Sequence, residues 1–177
     1  VRCGRCGLIS NATPPADLQS YYAEDYYAIP SAAALERLAS RENCKIDAIK
    51  RFTASGRLLE IGPAFGVFAL RAKREGFSVT CIERDARCRD FLEQTVGVQV
   101  IDSADTLAAL AKLPTFDVIA LWQVIEHLDA PLEFIDAAAA QLAAGGLLAL
   151  STPNPDAYQF ALMGKSWPHV DAPRHLH

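Results

Sequence analysis

The 177 residues are enough for one sizeable α/β core with a small appendage. Half are hydrophobic and about a fifth are charged, as in an ordinary globular domain. The net charge of −4 gives no support to a nucleic-acid surface, which wants clustered Lys and Arg, and no run reaches the roughly 18 uninterrupted apolar residues of a membrane span.

Cys3-Gly4-Arg5-Cys6-Gly7 is a turn of the kind that offers two thiolates to zinc, with glycine permitting the bend. Zinc takes four ligands and no second Cys-x-x-Cys follows. Cys3 and Cys6 therefore read as metal ligands only if partners lie upstream of Val1, and otherwise as a frayed end without metal. Both ends read as cuts, since the chain starts at Val1 and stops at His177 in a segment without a terminating signal. Five cysteines without a disulfide-framework spacing, and no visible signal peptide, point to a reducing cytoplasm. Cys44, Cys81 and Cys88 read as structural or incidental.

Asn11–Pro15 is a polar linker that closes a first region, 1–15. The second, 16–56, opens with Tyr21-Tyr22-Ala23-Glu24-Asp25-Tyr26-Tyr27, which packs a helix end on the core or lines a substrate pocket through Tyr22, Tyr26 and Tyr27. Ser31 is placed to cap a long helix that ends at Gly56 and carries Leu35, Leu38, Ile46, Ile49 and Phe52 at roughly helical spacing. From Arg57 to the end, strand and helix alternate. Strands are expected at Leu58–Ile61, Ser78–Glu83, Val98–Ile101, Phe116–Trp122 and Leu147–Ser151. Helices are expected near Val67–Glu75, Arg87–Thr95, Ala104–Lys112 and Pro131–Ala143, the last stopped by Gly145-Gly146. The pattern gives an α/β fold with a doubly wound, mostly parallel sheet. One or more further edge strands are expected to follow where periodicity fades beyond Pro153.

In such a sheet, ligands bind beyond the carboxyl ends of the strands. The polar residues there are Glu60, Glu83, Asp102, Gln123, Glu126 and His127. Glu60-Ile61-Gly62-Pro63-Ala64-Phe65-Gly66 reads as a strand end, a tight turn and a helix start, a loop suited to a nucleotide or nucleoside. Glu83 stands 21 residues after Gly62, close to the roughly 20-residue spacing of an acid that accepts ribose hydroxyls. Asp102 is placed to accept from an adenine amino group or to cap the next helix. Gly62, Ala64 and Gly66 run at intervals of two and two, unlike a dinucleotide fingerprint. Pro63 removes an N–H that a pyrophosphate could use, and Glu60 would repel that pyrophosphate but suits an ammonium group. No Gly-Lys-Ser/Thr of a P-loop occurs.

Together with Trp122-Gln123-Val124-Ile125-Glu126-His127-Leu128, the helix ending in Ala144-Gly145-Gly146 and Ser151-Thr152-Pro153-Asn154, this loop resembles a class I S-adenosylmethionine-dependent methyltransferase. The resemblance runs from about Tyr21 to His177. The Cys-x-x-Cys start and the tyrosine cluster are similar to a bacterial subgroup with an N-terminal zinc knuckle, some of whose members methylate sugars or related small metabolites. The resemblance implies that 57–177 is a Rossmann-like domain for S-adenosylmethionine, with S-adenosylhomocysteine as product. Gly62, Ala64, Phe65 and Gly66 would cradle the methionine part, and Glu60 would hold the loop and the amino group. Glu83 would take the ribose, Asp102 and Ser103 would face the adenine, and Trp122 and Gln123 would lie beside the cofactor. Ala64 stands where the family usually has glycine, tolerable if its backbone keeps φ negative.

Methyl transfer is an in-line displacement with a neutral leaving group, so the protein mainly positions the nucleophile and excludes water. A hydroxyl or enolisable-carbon acceptor needs a base, for which His127 is the candidate with Glu126 nearby; alternatively both residues sit at a helix start, bonded to backbone. His169, His175 and His177 with Asp171 form a polar tail, read as a substrate-side loop or a solvated end, with His-x-His spacing also compatible with a metal. The expected function is methyl transfer to a small metabolite or sugar. A nicotinamide-dependent oxidoreductase, disfavoured by the glycine spacing, and a non-catalytic methyltransferase-like binding module are the alternatives.

Overall fold

In a computed structural model that describes residues 1–22, 26–103 and 105–177, Gly56–Ile61 forms the first strand, β1. Leu58 and Glu60 face one side of it and Leu59 and Ile61 the other, and all four are buried. Such a strand must be covered on both faces. The further strands are Phe77–Glu83 (β2), Gln99–Asp102 (β3), Phe116–Trp122 (β4) and Leu142–Ser151 (β5). They pair in the order β3-β2-β1-β4-β5, and every pairing is parallel. The α/β, doubly wound reading of the sequence is therefore correct, and the strand order reverses direction between β1 and β4.

The helices are Ala32–Ala39 (α1), Asn43–Lys50 (α2), Val67–Arg74 (α3), Ala86–Phe91 (α4), Thr106–Leu110 (α5), Pro131–Ala140 (α6) and Tyr158–Met163 (α7). One core packs Leu35, Ala39, Ile46, Ile49, Phe68 and Leu92 of the α1–α4 side against Leu58, Val79, Val118 and Ala120. The other packs Leu110, Phe134 and Ala138 of α5 and α6 against Leu59, Ile61, Ile119 and Leu121. Alternate residues of one strand thus supply both cores.

Several expectations need correction. The single helix from Ser31 to Gly56 is two helices, broken at Ser40–Glu42. Ser31 does cap the first, accepting from Ala34 N. The break shifts the helical phase, so Leu38 and Phe52, counted with the core stripe, are exposed, whereas Leu35, Ile46 and Ile49 are buried. Gly56 starts β1 rather than ending a helix. The helix after β2 begins at Ala86 because Asp85 caps it on Cys88 N, and it ends in a π turn over Leu92–Val96. Gly145-Gly146 does not stop α6; it lies in β5, where pairing shifts from Phe116↔Leu142 to Val118↔Leu147. Ala104, the expected start of the next helix, lies outside the described residues, as do Ala23, Glu24 and Asp25 of the tyrosine cluster. Among the described residues, no helix is long and apolar enough to cross a membrane.

Candidate active site

The loop after β1 is where the sheet order reverses, and its backbone explains its composition. Gly62 has φ +63°, and a Cβ there would come within 2.9 Å of Val124 Cγ2. Gly66 has φ +82° and is the N-cap of α3, with the Leu92 side chain filling the space a Cβ would need. Ala64 lies between them at φ +51°. The expectation of a negative φ fails at this position: the alanine adopts the left-handed conformation that glycine would take without strain. Gln123, just beyond β4, is also left-handed, at φ +58°. Strained backbone of this kind gathers at ligand sites. Each of the two residues lines the same cavity.

That cavity, of about 790 Å³, opens at the carboxyl ends of the strands. One wall is the β1 loop at Gly62 and Ala64, Glu83 at the end of β2, Ser103 after β3, and Trp122 with Gln123 at the end of β4. Glu83 is 4% exposed and holds this wall together. Its Oε2 accepts from Ala64 N at 3.0 Å, and its Oε1 accepts from Arg84 N at 2.8 Å and Asp85 N at 2.9 Å. Burial raises its pKa above the usual carboxylate range, and the three amide donors oppose that rise.

The opposite wall comes from distant chain. Tyr22, Tyr26 and Tyr27 gather there with His127, His169 and His175. His127 Nδ1 lies 3.1 Å from the Tyr22 hydroxyl and 3.0 Å from the Arg174 carbonyl oxygen. A carbonyl only accepts, so neutral His127 carries its proton on Nδ1 and its lone pair on Nε2. Arg174 lies over the Tyr26 ring at 4.6 Å and is paired with Asp171 at 2.7 Å. Burial, and then the neighbouring His127, lower the His175 pKa. Burial also raises the Tyr27 phenol well above its ordinary value.

Of the residues expected at the site, Gly62, Ala64, Glu83, Ser103, Trp122, Gln123, Tyr22, Tyr26, Tyr27, His127, His169 and His175 line this one cavity. Five others do not. Glu60 is buried on the α2–α3 side of β1, with Lys45 the strongest charge opposing its burial, and its pKa is pushed up to about 8. Phe65 packs on the core, and Gly66 serves the start of α3. Asp102 points outward to Arg89 at 3.0 Å, and the helix cap considered for it belongs to Asp105, which accepts from Ala108 N. Glu126 is buried behind His127, against a second cavity. Asp171, read with the polar tail as a substrate-side loop or a solvated end, lines the cavity, whereas Asp85, legible as a helix cap, was missed. Cys3 and Cys6 are exposed free thiols in a turn closed by Gly7 N donating to Cys3 O at 3.0 Å. Backbone hydrogen bonds from Cys6 and Arg5 lower the Cys3 pKa.

A family model described as a methyltransferase domain matches residues 27–177. Among curated proteins, the chain is 33% identical over 120 residues to a ubiquinone biosynthesis O-methyltransferase of Xanthomonas campestris pv. campestris, covering 63% of this chain and 49% of that protein. It is 32% identical over 133 residues to the protein of the same name from Xanthomonas oryzae pv. oryzae, covering 70% and 55%. The chain therefore spans about half the length of these relatives. Among solved structures, the DhpI complex with S-adenosylhomocysteine matches with a TM-score of 0.55 at 17% identity, covering 77% of this chain and 68% of that one. The CcbJ methyltransferase of Streptomyces caelestis matches with a TM-score of 0.54 at 19% identity, covering 76% and 56%. At these identities, the structural matches bear on the fold alone.

Proposed function

We propose that this chain, which belongs to the methyltransferase domain family, binds S-adenosylmethionine in the cavity beyond β1 and β4 and transfers its methyl group to a hydroxyl oxygen of a small metabolite or sugar-type acceptor. The observation that carries the reading is the cavity's two unlike walls. The sheet-side wall offers amides, a carboxylate and an indole; the other offers phenols and imidazoles.

Cofactor roles follow from the first wall. Glu83, already fixed by amide donors, retains acceptor lone pairs for ribose hydroxyls. The Gly62–Ala64 turn accommodates the methionine part. Trp122, held by Phe68 at 5.0 Å and with the Lys45 ammonium 5.3 Å from its ring centroid, lines the sheet-side wall beside the cofactor. Glu60 backs the loop from the α2–α3 side of β1 and does not line the cavity. Asp102, at 68% side-chain exposure and paired with Arg89, fits the adenine less well than Ser103 does.

On the second wall, a hydroxyl acceptor must lose a proton as the oxygen–carbon bond forms and the carbon–sulfur bond breaks. His127, with Glu126 behind it, is the group assigned to make that oxygen nucleophilic. The tyrosines of the 16–56 segment border the acceptor and limit water, so this segment works with the 57–177 domain. An acceptor oxygen also accords with the O-methyltransferase names of the relatives. The Cys3–Cys6 turn is read as a zinc ligand pair only where two further ligands join it. Two thiolates are half of a tetrahedral set.

The test is methyl transfer from labelled S-adenosylmethionine to a panel of catechols and sugars. Product with at least one hydroxyl acceptor is expected. His127→Ala should lower the rate by about a hundredfold to ten-thousandfold while S-adenosylhomocysteine still binds. Binding without transfer to any acceptor would favour a binding module and contradict the proposal.

A further inference from the structure

Glu126 presents an unusual environment for a carboxylate. It is 1% exposed, and neither of its oxygens has a well-formed hydrogen-bond partner, the Thr152 side chain and its own backbone offering only weak support to the charged form. An acidic group in this position is costly unless a cation or donor joins it. Its nearest candidates for shared work are two imidazoles. Ligand atoms of Glu126, His127 and His175 all lie within 4.8 Å of one another, and the two rings stand edge to face at 4.6 Å.

Both rings are oriented by the backbone. His127 gives its Nδ1 proton to the Arg174 carbonyl, and the His175 ring hydrogen-bonds the His169 backbone. An imidazole that gives one N–H to a carbonyl keeps a lone pair on the other nitrogen, the arrangement found around metal-bound histidines. The tail is tied to this place: Leu176 N donates to the Glu126 carbonyl oxygen at 2.7 Å, and His175 N donates to Asp171 O at 2.9 Å. His175 is thereby brought beside residues about fifty positions earlier in the chain.

We propose that Glu126, His127 and His175 hold a divalent first-row transition cation of the zinc type. Two imidazoles and a carboxylate suit such a cation better than magnesium or calcium, which prefer oxygen ligands. Three protein ligands leave a coordination position open, as catalytic zinc sites do. His127 and His175 both line the main cavity, and His175 and Glu126 both line the second, so the site lies between the two and His127 gives it access to the acceptor side. Resting on the methyl-transfer reading, this assigns His127 a particular way of acting. The cation binds the acceptor hydroxyl oxygen and lowers its pKa, and the proton leaves to solvent. The bound oxygen then takes the methyl group as the carbon–sulfur bond breaks and a neutral thioether departs.

The experiment uses the full chain carrying Cys3→Ser and Cys6→Ser, which removes the thiolate pair as a competing site. After chelator treatment, cobalt(II) is titrated and followed by visible absorption, with zinc(II) displacement as a second readout. S-adenosylhomocysteine binding is measured calorimetrically on the same samples. Saturable one-to-one cobalt binding, displaced by zinc, is expected. Glu126→Gln and His175→Ala should each weaken it at least about tenfold while S-adenosylhomocysteine still binds, which reports that the variants are folded. If S-adenosylhomocysteine binds but cobalt does not, or if the variants take cobalt as well as the parent does, the metal assignment is overturned and the function proposed above stands. Cobalt binding without S-adenosylhomocysteine binding would instead keep the site and overturn that function.

Discussion

Ala64 is an alanine at φ +51° between two left-handed glycines. The left-handed conformation strains a residue with a Cβ by roughly 1–2 kcal/mol, partly offset in any glycine replacement by the extra freedom of the unfolded chain. Ala64→Gly should therefore raise stability by up to about 1 kcal/mol in a denaturant titration. A loss of stability would contradict the left-handed assignment. Glu60 yields a pH prediction. Burial raises its pKa in the folded chain from an ordinary 4.5 to about 8, so the folded chain holds that proton more tightly than the unfolded chain does. Its contribution to stability is complete below about pH 4.5 and is lost as pH rises toward about 8. In ligand-free protein, Glu60→Gln should thus be increasingly more stable than the parent over that interval, as followed by urea unfolding. Parallel stability profiles for the two proteins would contradict it.

At the scale of elements, the break at Ser40–Glu42 decides which side chains of 31–56 face the sheet. Leu35→Ala and Ile46→Ala remove fully buried groups and should each cost about 2–5 kcal/mol. Leu38→Ala and Phe52→Ala act on exposed side chains and should change stability by no more than about 0.5 kcal/mol. A loss at Phe52 as large as that at Ile46 would restore the single continuous stripe. The sequence pattern overcounted this stripe because a short break changes the phase of a helix without leaving a proline or glycine as its mark. The strands were easier to read. The apolar run of β4 matches Phe116–Trp122 at both ends, since a strand covered on both faces has little freedom in composition. β5 was read short because its bulge carries Gly145-Gly146, which also looks like a helix stop.

At the scale of the molecule, the sheet-side half of the cavity was legible because its residues follow strand ends within a few positions. The order of strands and the reversal beside β1 put Glu83, Ser103 and Gln123 around one opening. The acceptor half was less so. Tyr22 and His127 are separated by 105 residues yet share a hydrogen bond, and no periodicity announces such a contact. Asp102 shows the limit of reading a residue from its place at a strand end: it stands at the end of β3 but turns to Arg89. Glu60 likewise turns away from the opening, toward the α2 side.

The central claim is that the cavity beyond β1 and β4 is shaped for S-adenosylmethionine and not for a dinucleotide. Calorimetric titration of the chain with S-adenosylhomocysteine, with NAD run alongside, tests it most directly. Saturable one-to-one binding of S-adenosylhomocysteine is predicted, weakened by Glu83→Ala and matched by a stabilisation of about 2.7 kcal/mol at about 100 times Kd. Binding of NAD with no response to S-adenosylhomocysteine would contradict the claim.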